Sequence, residues 1–464
     1  MTDVLPLMLT AHSLAASSLL LHLLPLFLSA IRFVFVFSFF VLLKQKLKET
    51  LSFCVAFGYP RFCARAKTAR GCDKTMEFSG STLSVSDVEI MVQQLKPLSI
   101  EQVGTAEWKD ERERVERLNM CSHSNAVLKK DDAVKAFLVE HEKLPVLLHE
   151  LLVMEMWRHR VLPLVKDSVA GNPTAYYMFP YYEMVLVNLF ECIFFHEEVV
   201  VALGDDVLEL VDYCWRQVSR LFAESGVNEV PAKLTPQQIS EEDSRQHLER
   251  QLSHGMVQRA MTSLSILWFI IDRLEQLPLS VSNAVFNKHD LVLGLSEIML
   301  LQPWLRRGPG VTQKYCNGEF KDVSQGDALL VCIPEAHTWF SLHKMLCDPE
   351  CRRRYPYTQS KKELILRIRR FLNDTLLDQM PALASVQRAL EELSFLQPPS
   401  DTDAKLKRTL TIEQVPRIAT AVEASRTRSW EDIAVTFSAL LKDPCIRNED
   451  VMRMTRIFDE MFTE

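Results

Sequence analysis

Apolar residues recur every three to four positions along most of the chain after residue 76. The segment VLELVDYCWRQVSRLF at 207–222 shows this clearly, with Val207, Val211, Val218 and Leu221 on one face. Such spacing is typical of an amphipathic α-helix. It predicts further helices near 86–96, 105–120, 130–141, 143–161, 181–201, 256–274, 283–302, 336–347, 364–372, 382–396, 411–425, 429–442 and 448–462.

Helices of this length, joined by short loops that often contain proline, predict an all-α fold. The prolines at these breaks are Pro145, Pro163, Pro278, Pro303, Pro381 and Pro416. No crisp repeat is readable, so two architectures stay open: a degenerate armadillo/HEAT-like α-solenoid and an irregular helical array. The low glycine content, 13 of 464 residues, disfavours an all-β or Rossmann fold.

One segment, VTQKYCNGEFKDV at 311–323, interrupts the helical pattern. It is centred on Asn317 and Gly318, and Asn-Gly favours a type I′ turn because both central residues need a positive φ. We therefore predict a small β-hairpin insertion near 311–333, in which residues 329–333 add a short strand.

Polar, proline-containing stretches indicate where the chain divides. We predict an apolar N-terminal extension at 1–75, an N-terminal helical array at 76–225 and a polar linker at 226–250. A second helical part with the hairpin insertion follows at 251–396, then a linker at 397–408 and C-terminal helices at 409–464.

Charge separates the first 75 residues from the others. They hold 9 Lys/Arg and 3 Asp/Glu, whereas the remainder holds 44 basic and 57 acidic residues. Positions 4–31 contain none of these four residue types, and a bilayer core takes about 20 apolar residues. Taken alone, this stretch predicts a membrane anchor, with the body in the cytosol because lysines follow it.

The acidic body disfavours general nucleic-acid binding, which needs a basic footprint. The 11 cysteines are odd in number and irregularly spaced, as in cytosolic proteins whose thiols are small core residues. No G-x-G-x-x-G, G-x-x-x-x-G-K-[ST] or G-x-S-x-G motif occurs. The sequence therefore predicts neither an enzyme nor a nucleotide site.

Metal binding has one candidate cluster. His343, Cys347 and Cys351 are four residues apart and would share a face of one helix, as zinc ligands can. Pro349 would break that helix and no fourth ligand is evident, so we favour buried thiols. His196 in FFHEEV lacks the second histidine of a metalloprotease motif. We predict no cofactor or metal in this chain.

The strongest charge feature is a run of eight cations within residues 352–370. They are Arg352, Arg353, Arg354, Lys361, Lys362, Arg367, Arg369 and Arg370. One interpretation is a partner-binding groove for an acidic peptide, such as the acidic tail of a chaperone. The other, which we favour, is a solvated helix face, because the last three flank apolar residues rather than replace them. Tyr355 and Tyr357 are too few stacking residues for RNA binding.

Several strings after residue 76 resemble the zinc finger MYND domain-containing protein 10 family of dynein-arm assembly factors. They are LNM at 118–120, MEMWRHRVLPLV at 154–165, NLFECIFFHEEV at 188–199, VLELVDYCWRQ at 207–217, QPWLRR at 302–307, FLNDTLLDQMPALA at 371–384 and IEQVPRI at 412–418. The match covers nearly all of residues 76–440, and FLNDTLLDQMP is specific rather than generic helix.

The resemblance implies a cytosolic scaffold, or co-chaperone adaptor, for folding and pre-assembly of inner and outer axonemal dynein arms, needed for motile cilia. It implies a leucine-rich-repeat dynein assembly factor, heat-shock chaperones, an immunophilin co-chaperone and dynein chains as partners or clients. The implied locations are the cytoplasm, dynein axonemal particles and centriolar satellites, with the apical membrane as a further site.

The chain departs from the family in two places. The family ends in a MYND zinc finger, whose cysteine and histidine ligands hold two zinc ions, but here only Cys445 lies beyond residue 351. We expect the finger, and the family's zinc ions, to be missing from this chain. Met76 aligns with the family start, so we expect residues 1–75 to be foreign to it. The alternative is a membrane-anchored helical protein-interaction adaptor.

Overall fold

The computed structural model describes residues 83–128, 130–166, 173–232, 242–316, 318–400 and 416–442. These residues belong to one unit, Thr75–Glu464. The predicted extension at 1–75, most of the linker at 397–408, Asn317 and the helix at 448–462 lie outside the described residues.

The predicted helices of the first half are present, with shifted ends. In chain order they are α1 Val85–Gln94, α2 Ala106–Leu128, α3 Ala133–Glu140, α4 Leu144–Arg160, α5 Leu162–Val165, α6 Pro173–Phe194, α7 Glu197–Ala202, α8 Val207–Ala223 and α9 Ser244–Asp272. Helix α9 starts inside the range assigned to the 226–250 linker. The division into domains itself stays a prediction.

The second half continues the array after α9. Its helices are α10 Leu279–Asn283, α11 Leu291–Leu301, α12 Ile333–Cys347, α13 Pro349–Arg354, α14 Gln359–Leu366, α15 Asp374–Gln379, α16 Leu383–Phe395, α17 Arg417–Ala424 and α18 Trp430–Lys442. The helix predicted over 283–302 is divided, because a π-turn at Ala284–Lys288 is followed by Asp290 in the left-handed conformation, at φ 49°.

Short polar side chains fix several helix starts. Ser84 accepts a hydrogen bond from the amide of Asp87, whose carboxylate accepts from the amide of Ser84, which is a capping box. Asn373 caps the start of α15 and Thr358 caps the start of α14, each through a side chain that accepts a hydrogen bond from a helix amide. Asp206, which the sequence places at the start of α8, makes no capping bond there. Its carboxylate binds Arg417 instead.

Helix α9 occupies the centre of the array and packs against α6, α8 and α12, while α6 also packs against α2 and α4. The prediction of an all-α fold with a small β insertion is confirmed. Helix α17 returns to pack on α4, and α18 on α5. In a solenoid each repeat contacts only its neighbours, so this return favours the irregular helical array.

The β insertion is a three-stranded antiparallel sheet of β1 Leu305–Gly308, β2 Val311–Cys316 and β3 Glu319–Asp322. The predicted hairpin is confirmed as β2 and β3, in which Tyr315 pairs with Phe320. The short strand predicted at 329–333 is wrong, because Asp327–Leu329 forms a 3₁₀ turn and α12 starts at Ile333. The third strand is β1, which the sequence did not indicate.

Gly294 of α11 leaves room for the Trp215 ring of α8. A Cβ atom at this position would overlap Cη2 of the Trp215 ring and lie 2.7 Å from its Cζ2. We expect Gly294→Ala to lower the free energy of unfolding by about 1–3 kcal/mol through overpacking. Urea denaturation measures this. Gly326→Ala is the control, since its nearest atom would be 3.8 Å away, and equal losses in both variants would contradict the explanation.

Candidate interaction surface

The eight cations of residues 352–370 and the side chains around them form what we call the basic surface. It spans α13, α14 and the 3₁₀ turn Arg367–Phe371 that follows α14. The structure brings these residues together at the second half of the array, where α14 packs against α11 and α16. Whether this surface binds a partner stays a prediction.

Most of these cations are neutralised locally. Within the described residues, five form ion pairs with carboxylates: Arg352 with Glu392, Arg353 and Arg354 with Glu350, Lys361 with Asp290, and Arg369 with Glu391. Arg370 lies over the ring of Phe371, at 4.7 Å from its centroid. Arg367 is exposed and makes no ion pair in the described part of the chain. Because five of the eight cations are already paired within the chain, the structure favours a solvated helix face over an open cationic groove.

Asp290 ties the basic surface to α11. Its carboxylate accepts hydrogen bonds from the Leu293 amide at 3.3 Å and from the Tyr355 hydroxyl at 2.8 Å, and pairs with Nζ of Lys361 at 2.8 Å. Burial and the adjacent Asp290 charge raise the pKa of Tyr355, which keeps its hydroxyl protonated as a donor. One carboxylate thus holds a helix start, a tyrosine and a lysine together.

An exposed apolar tip adjoins the basic surface at the end of α16. Phe395 is 86% exposed and Leu396 is 47% exposed. Nζ of Lys362 donates to the carbonyl oxygens of Ser394 at 2.9 Å and Leu396 at 2.7 Å, so this lysine caps the helix C-terminus. The lysine therefore positions the tip.

The candidate metal cluster is not assembled. His343 and Cys347 lie on α12, whereas Cys351 lies on α13, which starts at Pro349. No group of three or more His, Cys, Asp and Glu residues able to hold a metal ion occurs in the part of the chain that the structure describes. Burial raises the pKa of Cys347 and raises that of Cys351 to about 12, so both remain neutral thiols. His343, Cys347 and Cys351 therefore do not form a zinc site in the described part of the chain.

A buried ionic network joins α4, α6, α8 and α9. Arg158 donates to both oxygens of Glu183, at 2.6 and 2.9 Å, and the Tyr213 hydroxyl donates to the same carboxylate at 2.9 Å. Nε of Arg259 lies 3.8 Å from Glu183. Burial disfavours the Glu183 anion, but the charges of Arg158 and Arg259 outweigh it and lower its pKa to about 2.

Two buried carboxyls hold the segment that follows α1. Glu111 accepts a hydrogen bond from the Lys96 amide at 2.9 Å, and Glu150 accepts one from the Leu98 amide at 3.2 Å. Both are fully buried. Desolvation raises the pKa of Glu111, and desolvation together with the Glu111 charge raises that of Glu150 to about 8. Glu150 is therefore mainly protonated at neutral pH.

The sequence did not indicate the buried ionic network, the two buried carboxyls or the docking of the C-terminal helices on the first half of the array. Glu209 and Glu101 accept hydrogen bonds from main-chain amides of residues 418–419 and 427–428. Phe437 fits among Trp157, Phe179 and Tyr176. These partners are more than 200 positions apart in sequence, so no local pattern signals them.

None of the described helices combines the length and the hydropathy needed to cross a bilayer.

Comparison with known proteins identifies a relative in Drosophila melanogaster. The chain is 26% identical to the zinc finger MYND domain-containing protein 10 homolog of Drosophila melanogaster over 337 residues, which is 72% of each protein. No family model matches the chain, and no solved structure matches it either. The similarity supports the family assignment that the sequence strings indicate.

Proposed function

We propose that this chain, assigned by that similarity to the family of zinc finger MYND domain-containing protein 10, is a scaffold for the assembly of axonemal dynein arms. The observation that carries the proposal is the extent of the similarity, 72% of both proteins. The helical array with buried, structural charges is consistent with a binding protein rather than with catalysis. The proposed role is therefore non-enzymatic.

In this proposal the chain works in the cytoplasm, in dynein axonemal particles and at centriolar satellites. Its partners are a leucine-rich-repeat dynein assembly factor, heat-shock chaperones and an immunophilin co-chaperone, with dynein chains as clients. It holds an incompletely folded chain close to the chaperones, and large helical arrays offer extended surfaces for such contacts.

Removal of the protein from ciliated cells tests the proposal. We expect axonemes without inner and outer dynein arms in cross-section, together with immotile cilia. Re-expression of this chain should restore arms and beating. Normal arms and normal beating in cells without the protein would contradict the proposed role.

The apolar N-terminal sequence supports a second candidate, a membrane-anchored helical interaction adaptor. Positions 4–31 contain no Asp, Glu, Lys or Arg. The two candidates differ in sodium carbonate extraction of the native protein: an anchored adaptor stays with the membranes, whereas the scaffold is released.

A partner-binding role of the basic surface stays a prediction. If an acidic partner segment binds there, Arg367→Glu should weaken co-precipitation of chaperones by several-fold, because the change replaces an attractive charge with a repulsive one. Arg367 is exposed and forms no ion pair among the described residues, so the change breaks no internal salt bridge. Lys130→Glu, at an exposed position between α2 and α3, is the charge-matched control. Equal binding by wild type and both variants would assign the basic surface to stability alone.

A further inference from the structure

Residues 416–442, which comprise α17 and α18, form what we call the clasp. The clasp crosses from the end of the chain to helices of the first half, where α17 packs on α4 and α18 on α5. Its apolar residues Ile418, Val422, Ile433, Phe437 and Leu441 are buried. Three carboxylates of the first half meet the clasp as well.

Glu209 of α8 holds the start of α17. Pro416 occupies the position before this helix and offers no side-chain cap. The two carboxylate oxygens of Glu209 accept from the amides of Ile418 at 2.6 Å and Ala419 at 2.8 Å. A helix leaves its first amides unpaired and carries partial positive charge there, so a carboxylate from another element replaces the missing cap.

Glu101 holds the turn between α17 and α18 in a similar way. One oxygen accepts from the amides of Thr427 at 2.6 Å and Arg428 at 2.8 Å. The other accepts from the Thr427 hydroxyl at 3.2 Å and from Nε of Arg428 at 3.1 Å. These bonds, led by the Arg428 amide, lower the pKa of Glu101 to about 2.

Phe437 fills an aromatic pocket of the first half. Its ring centroid lies 4.6 Å from Phe179, 4.8 Å from Trp157 and 6.4 Å from Tyr176. Trp157 and Phe179 are stacked on each other at 4.9 Å. The pocket would therefore remain lined by three aromatic rings when Phe437 is absent, and such walls favour another aromatic side chain.

The helices of the clasp depend on this docking. Helix α17 has 8 residues and α18 has 13. Isolated helices shorter than about 12–15 residues are marginal in water, so these two gain their order largely from the surface beneath them. Docking and folding of the clasp are then one cooperative step, and the clasp can open as a unit.

The charges of the surface beneath the clasp indicate which other segments it can bind. The first half contributes the carboxylates of Glu101, Asp206 and Glu209, and the clasp contributes the cations Arg417 and Arg428. Next to these carboxylates lies the aromatic pocket. The features that the surface recognises are therefore free helix amides, a basic side chain and one aromatic side chain.

We infer that the clasp opens and that its opening exposes a docking surface for a partner's basic helical segment with an aromatic anchor. The partner segment takes the place of residues 416–442, with its aromatic side chain in the Phe437 pocket and its amides on Glu209. The clasp thereby competes with the partner. This inference concerns the isolated chain and does not depend on the dynein proposal.

A synthetic peptide of residues 416–442 is the probe for the surface. The full chain with Phe437→Ala should bind the fluorescent peptide at least tenfold more tightly than wild type, because its own clasp no longer fills the pocket. A peptide that carries the same Phe437→Ala change should bind neither chain. Equal peptide binding by wild type and by the folded variant would overturn the inference.

Hydrogen exchange tests opening in the full chain without the peptide. Glu101→Ala and Glu209→Gln should each raise the exchange rates of clasp amides at least tenfold, while those of α9 stay unchanged. Glu431→Gln, an exposed change within the first turn of α18, is the control. If α9 loses protection together with the clasp, the clasp is an integral part of the core and the inference fails.

Discussion

Glu183→Gln is expected to lower the free energy of unfolding by about 3–5 kcal/mol, the usual cost of breaking a buried ion pair by removing one partner. Glutamine has nearly the same shape, so the change removes charge rather than volume. Arg158 is 6% exposed and Arg259 only 2%. Without the Glu183 anion these two guanidinium groups lie close to each other in the interior, and among the described residues neither forms an ion pair with another carboxylate.

The loss should be measured by urea denaturation near pH 7, followed by circular dichroism. Glu249→Gln is the matched control, because its ion pair with Arg245 on the same α9 helix has both side chains 51% exposed. Exposed pairs contribute about 0–1 kcal/mol. A loss below about 1 kcal/mol in Glu183→Gln would mean that water already solvates the network and that the pair is not a structural centre.

The helices and the hairpin could be predicted because their signals are local. In α8 the apolar period runs unbroken from Val207 to Leu221, and all four residues that define it are buried. Gly318, in the predicted turn, has a φ of 87°, which is costly for residues with a side chain. Both features depend on neighbours within a few positions, so one sequence is enough to show them.

Strand β1 and the buried charges were missed for a different reason. The strand sequence LRRG has no alternating apolar pattern, although its partner β2 lies only a few positions further along the chain. Its other edge meets Glu229 in an isolated bridge to Arg307, and no local pattern signals that contact. Glu183 and Arg158 appear in sequence as ordinary charged positions of two helices. Only the packing of α6 on α4 shows that they face each other.

The basic surface and the clasp likewise combine features that local sequence shows with contacts that it does not show. The basic run is obvious in sequence, but five of its cations are neutralised by Glu350, Glu391, Glu392 and Asp290, three of which lie well outside the run. The two helices of the clasp could be predicted from sequence, but their docking could not, since Glu101 and Arg428 are 327 positions apart. Long-range partners therefore decide which charged residues remain free to bind other proteins.

Glu150→Gln is expected to change how stability depends on pH. The carboxyl of Glu150 is fully buried, and its pKa is raised from 4.5 to about 8, first by desolvation and further by the neighbouring Glu111 charge. Between these two values the unfolded chain has released this proton, whereas the folded chain retains it. Folding then binds a proton, so the stability contributed by this group is complete below pH 4.5 and declines as the pH rises towards 8.

Glutamine cannot ionise, so the variant lacks this decline. One pKa unit corresponds to about 1.4 kcal/mol, and we expect the variant to gain at least about 1 kcal/mol relative to wild type between pH 5 and pH 8. Unfolding free energies from urea titrations at both pH values give the difference, in which the other titrating groups cancel to first order. Glu249→Gln should show no such gain, because its carboxylate is half exposed. A constant difference between Glu150→Gln and wild type across this range would show that Glu150 is ionised in the folded chain, and the Leu98 amide would then be bound by a buried anion.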